Sequence, residues 1–183
     1  MNPVKRLLTY RYAEIIHDLT VEFVRKYIDY HSRTKDQMEQ AARSGKQNIV
    51  EGVGQSETSK KGEIKLLGVA KASFEELLSD YEDYLRQHEL PLYSKFDSRT
   101  TVFRQTAYRL SDLRNLSNLG NLIHKPELPE TTAAAANFLL TLCHLVTFLL
   151  DRQIKSCEER FVKEGGFTEN IFQERYKYLK HLK

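Results

Sequence analysis

Between Ala133 and Leu150 the chain runs eighteen residues without a single Asp, Glu, Lys or Arg. A stretch of that length and character belongs in the hydrocarbon of a bilayer or inside a protein. Asn137, Thr141 and His144 fall at i, i+4 and i+7 and draw a polar stripe that lipid does not tolerate without partners. Glu127 and Glu130 precede the stretch and Asp151-Arg152 follow it, so no one-sided Lys/Arg cluster sets a membrane orientation. The stretch therefore reads as a central helix, buried on most of its circumference in a bundle core or against another subunit, with no membrane span.

The rest of the chain fits such a core. At 183 residues it is long enough to bury roughly two-thirds of its unfolded surface. Eight Gly and four Pro leave few turns between long elements. Tyr12, Ile16, Leu19, Phe23, Tyr27 and Tyr30 recur at three- and four-residue steps and predict a first helix over 7–31. Thr34 and Gln37 then form a capping box for a second helix that runs to Gly52 or Gly54. Its inner face, Met38, Ala41, Ala42, Gly45, Ile49 and Gly52, is mostly small, which lets helices approach closely.

A third helix is predicted from Thr58 or Ser59 to His88, buried through Ile64, Leu67, Phe74, Leu77, Leu78, Tyr81 and Leu85 and stopped by Pro91. A fourth amphipathic segment covers 98–115, and Asn, Gly, Ser and Pro mark 116–129 as a loop. The long final helix spans 130 to Gly165-Gly166. Thr168 then caps a short terminal helix, with Phe167 stapled on Phe172. The predicted architecture is all-α: an antiparallel up-and-down four-helix bundle over 1–152, with 89–130 as an insertion carrying an extra helix, and a helical suffix over 153–183.

Net charge is only +3, but it is segmental: residues 72–98 carry 2 Lys/Arg against 7 acids, and 99–125 carry 5 against 1. Arg99, Arg104, Arg109 and Arg114 are spaced by five, which spreads them around a helix instead of aligning them. Arg43, Lys46, Lys60, Lys61 and Lys65 bracket the turn between helices two and three and form the candidate basic rim for phosphate contact. The acidic run Glu75, Glu76, Asp80, Glu82 and Asp83 reads as solvated helix surface.

The six histidines are scattered, and His144, on the apolar helix, reads as a hydrogen-bonded core or interface residue. Cys143 and Cys157 sit in one predicted helix about 21 Å apart along its axis and cannot pair. Unpaired thiols and the absence of an apolar leader after Met1 point to the cytoplasm. No residues group as a catalytic site, a metal site or a cofactor site.

The segment Ala41-Ala-Arg-Ser-Gly-Lys-Gln-Asn-Ile-Val-Glu-Gly52, followed by Ala70-Lys-Ala-Ser73-Phe-Glu-Glu76-Leu77, resembles the signature of a four-helix bundle family. That family includes proteins encoded in intervening sequences of bacterial 23S ribosomal RNA genes and accessory variability proteins of diversity-generating retroelements. Ala41, Ser44, Asn48, Ile49, Glu51, Gly52, Ala70, Ser73, Glu76 and Leu77 fall on the pattern. Gln40 stands where the family usually has arginine, Gly45 stands where it usually has isoleucine, and 89–130 is inserted. The ending from Gly165 through Arg175 is similar to a C-terminal suffix found on some members.

The resemblance implies a homo-oligomer, with a pentamer favoured. It also implies sequence-nonspecific binding of RNA or DNA, in the service of a reverse transcriptase or of ribosomal RNA. Ser44, Asn48, Glu51 and Ser73 read first as a buried polar network that sets helix register, and second as a ligand site. The expected function is a non-enzymatic nucleic-acid-binding adaptor; the alternative is a protein-interaction scaffold that uses the apolar final helix and the acidic third helix.

Overall fold

The computed structural model describes residues 3–112 and 125–181, and over them the chain is all-α. A short 3-10 turn at Pro3–Arg6 leads into α1 (Leu8–Tyr27), α2 (Arg33–Gln55) and α3 (Lys60–Gln87). These are followed by α4 (Ser98–Ser111), α5 (Thr132–Glu164) and α6 (Phe167–His181). Arg114, His124 and most of the expected 116–129 loop lie outside the described residues.

Helix ends follow side-chain caps. α1 stops at Tyr27, short of 31, because Ile28 turns extended, and Tyr30 is left 78% exposed. The α2 cap is Ser32, whose oxygen accepts from Thr34 N; Thr34 itself is already helical, so the expected capping box is not used. α2 also passes through Gly52 and Gly54 without stopping. Gly52 serves packing instead: a Cβ there would lie 3.3 Å from Glu63 O and from Leu66 Cβ on α3. Ser59 caps α3 through Gly62 N, Asp97 caps α4 through Arg99 N, and Thr131 caps α5 through Ala134 N. α4 closes at Ser111, not at 115.

The core gathers apolar faces of α1, α2, α3 and α5. α3 lies against α2 and α5, α1 lies against the same two helices, and α4 leans on α5 and α1. Phe23 meets Tyr81 and Tyr84 edge-on at 5.2 Å and 5.1 Å between ring centroids. The Tyr81 hydroxyl is wholly enclosed and lies 2.9 Å from Thr20 Oγ1, so the two buried groups satisfy each other. Gly45 admits the Phe74 ring to the α2–α3 seam; a Cβ at that glycine would lie 2.5 Å from Phe74 Cζ.

The charge-free stretch occupies the first half of α5. It is long and apolar enough to cross a membrane, yet 67% of its most apolar window is buried among the other helices. The α3–α4 connection meets its polar stripe at Asn137. Asn137 Nδ2 donates to Pro91 O and Ala133 O, both at 2.8 Å, and Asn137 Oδ1 accepts from Tyr93 N at 2.7 Å. α5 runs unbroken past 152, so the suffix expected from 153 begins inside this helix.

α5 ends at Gly165, whose φ of 71° suits glycine. α6 starts at Phe167, which places Thr168 inside the helix; the side chain that closes the turn is Glu169, which accepts from Gly166 N at 2.7 Å. The expected Phe167–Phe172 staple leaves both rings open, 49% and 70% exposed.

Candidate functional site

The five cations of the expected basic rim do not converge. Lys60, Lys61 and Lys65 occupy the start of α3, whereas Lys46 and Arg43 lie about 13 Å and about 18 Å back along α2 from Gln55. Lys46 Nζ points to α1 and sits 3.0 Å from His17 Nδ1. Lys60 Nζ points to α5 and binds Glu164 Oε2 at 2.6 Å. Arg43, Lys61 and Lys65 are exposed, and among the described residues no carboxylate stands within ion-pair range of them. The arginines of α4 are engaged locally: Arg99 grips Asp97 and stacks on Tyr93, while Arg104 and Arg109 bond to Lys95 O and Thr106 Oγ1.

The resemblance residues divide by polarity. Ala41, Ile49, Gly52, Ala70 and Leu77 are buried in the α2–α3 seam, whereas Ser44, Asn48 and Ser73 are half-buried and Glu51 and Glu76 are exposed. Their hydrogen bonds stay within each helix. Asn48 Nδ2 donates to Ser44 O at 2.9 Å, Ser73 Oγ to Val69 O at 3.1 Å, and Gln40 Nε2 to Ser44 Oγ at 3.3 Å. None of these bonds crosses from α2 to α3, which corrects the expectation of a buried network setting register. The small side chains bring the backbones together, and the polar ones are left on the solvent edge of the seam. There Gln40, Ser44, Ser73 and Glu76 border a shallow groove.

Titratable groups show pressure without a catalytic pairing. Burial holds the Cys143 thiol far above its usual range, and burial followed by Glu63 raises Cys157; neither is a ready thiolate. His17 is lowered by burial first and by Lys46 second. Asp80 is pushed up to about 6 by burial, then by Glu76 and Asp83, and its Oδ2 is enclosed without a hydrogen-bond partner among the described residues. Two members of the acidic run are paired, Glu75 with Lys71 and Asp83 with Arg86. Glu63 is only 4% exposed and is met by Arg160 Nη2 at 3.3 Å from one oxygen, which ties α3 to α5. Among the described residues, no three His, Cys, Asp or Glu side chains stand close enough to share a metal ion.

The surface that sequence reasoning missed is apolar. Where the α3–α4 connection crosses α5 it leaves a cleft of about 580 Å³, lined by Leu92, Tyr93, Leu140, Leu145 and Phe148 with Glu82 and Arg104 at its edges. Its polar neighbours Asn137 and Thr141 are spoken for by backbone oxygens and the Tyr93 N–H. His144 lines the same cleft and is exposed, so of the two places expected for it, core or interface, the core is ruled out. The stripe Asn137-Thr141-His144 was the available signal, but only the fold shows that the 88–97 connection meets it at Asn137.

α6 is the second apolar surface. Phe167, Ile171, Phe172, Tyr176, Tyr178 and Leu179 are all about half or more exposed, and among the described residues the helix packs extensively on no other element. No family model, curated protein or solved structure matches the chain.

Proposed function

We propose that this protein is a non-enzymatic interaction scaffold that works by self-association. One observation carries the reading: a whole amphipathic helix, α6, presents six large apolar side chains to solvent. Apolar surface on that scale marks a docking face, because its exposure to water is unfavourable until a partner covers it. In this reading α1, α2, α3 and α5 form the antiparallel up-and-down bundle, α4 is the inserted helix and α6 the appendage. Contacts between opposite helix ends support it: Gly52 with Glu63, Glu63 with Arg160, and the Tyr27 hydroxyl donating to Glu130 O. The resemblance to the four-helix bundle family points the same way and favours a pentamer.

Electrostatic binding of RNA or DNA, with a reverse transcriptase as a further partner, is the second reading. The exposed and unpaired Arg43, Lys61 and Lys65 favour it. Dispersal of the cations ranks it below the scaffold. Titration of mixed-sequence RNA and DNA at rising salt separates the two readings. The nucleic-acid adaptor gives a binding constant that falls steeply with salt, and it weakens when Lys61 and Lys65 become Ala. The scaffold assembles without nucleic acid and is indifferent to those substitutions.

A further inference from the structure

We propose that α6 of one chain seats in the cleft on α5 of a second copy, with Arg175 opposite Glu82. The proposal rests on the self-association reading and names its interface. At about 100° per residue, α6 sorts its side chains into two halves. Phe167, Ile171 and Tyr178 form one apolar stripe, Phe172, Tyr176 and Leu179 form another, and Arg175 lies between them. Glu169, Gln173, Lys177 and Lys180 take the opposite side. An amphipathic helix with anchors at i, i+4 and i+7 is the shape that lies into an apolar groove.

The cleft fits this occupant in length, character and charge. The stripes from Ile171 to Leu179 extend about 12 Å along the helix, and the α5 wall from Leu140 to Phe148 extends about the same. Leu92 and Phe148, on the two walls, are 58% and 59% exposed and lack cover. Six side chains each offering on the order of 100 Å² approach the roughly 800 Å² per partner that a stable interface needs. Glu82 borders the cleft and Arg175 divides the apolar half of α6; both are exposed, and neither has an ion pair among the described residues. Lys95 and Arg104 also line the cleft, and the apolar half of α6 is flanked by Glu169 and by Glu174, which pairs with Lys177 within the helix.

A second copy is the favoured occupant because knob and hole stand far apart on one chain. Phe148 lies about 24 Å back along α5 from Glu164, where α6 departs. The joint is held by Gly165 N to Phe161 O at 2.9 Å and by Gly166 N to Glu169 Oε2 at 2.7 Å. A surface that fits a different surface of the next copy builds a ring or a chain of subunits.

The test is native mass spectrometry with sedimentation of the full chain, alone and in mixtures. Arg175→Glu and Glu82→Arg should each weaken self-association at least tenfold. Mixed in equal amounts they should recover most of it as heteromers, since a junction between unlike chains is again of opposite charge and a closed ring of five keeps as few as one junction of like chains. Phe172→Ala with Tyr176→Ala should weaken assembly in every mixture. Wild-type assembly with all these variants unaffected overturns this interface and leaves self-association standing; a chain monomeric at every concentration overturns both. Loss of binding to anionic lipid vesicles by the α6 variants, with assembly intact, overturns the proposal in favour of a membrane surface.

Discussion

A methyl group added at Gly45 would meet a fully buried aromatic ring at 2.5 Å, and the ring has nowhere to go. Gly45→Ala should therefore cost about 1–3 kcal/mol by overpacking, and Phe74→Leu in the same chain should recover part of the loss, both read by urea denaturation. Asp80 argues the opposite way. The folded carboxyl holds its proton up to about 6 whereas its ordinary value is 3.8, so between those values the folded chain binds more protons. Its cost to stability thus grows as pH rises through that window and is complete above it. Asp80→Asn should stabilise the protein at neutral pH by about 1 kcal/mol, the full shift being discounted for the solvent that reaches this half-buried group, and the gain should vanish at acidic pH. His17 has the opposite sign: its lowered value makes stability fall as pH drops below the ordinary 6.5, so the difference between wild type and Asp80→Asn isolates the carboxylate. The small inner face of α2 was legible in the sequence, but Phe74 as the partner of Gly45 was not, because spacing within one helix says nothing of register against another.

Among the elements, the α3–α5 pair is fastened by three ion pairs, Arg160–Glu63, Lys60–Glu164 and Lys71–Asp151, and the first two differ in worth. Arg160 covers the nearly buried Glu63, whereas Lys60 meets a Glu164 that stays exposed to solvent. Removing Arg160 leaves the nearly buried Glu63 with the Cys157 thiol but no cation, so Arg160→Ala should cost about 2 kcal/mol, less than a fully buried pair because Arg160 is itself half-exposed. Lys60→Ala should cost less than about 1 kcal/mol. Thermal unfolding of the two variants checks the order. The helices themselves were readable from three- and four-residue periodicity, and the Gly165-Gly166 stop was readable from glycine alone. Ends decided by competition were not: Tyr27 and Tyr30 continue one apolar pattern, yet only the first packs, and Ser32 captures the cap from Thr34. α6 kept its predicted amphipathic pattern and packs extensively on no other element among the described residues.

For the molecule as a whole, the charge pattern and the apolar pattern lead to different partners, and the fold favours the second. Lysines close in sequence around the α2–α3 turn point toward different seams, because successive residues of a helix face different ways. Apolar residues distant in sequence, at 92 and 140–148, meet in one cleft instead. That convergence was invisible from spacing, since it depends on the inserted segment folding back over α5. The most direct measurement is sedimentation equilibrium of the full chain over a wide range of concentration, at low and at high salt. Assembly driven by apolar surface should persist at high salt, with a defined subunit number. A chain that stays monomeric throughout, or an assembly that dissolves as salt rises, would contradict the account.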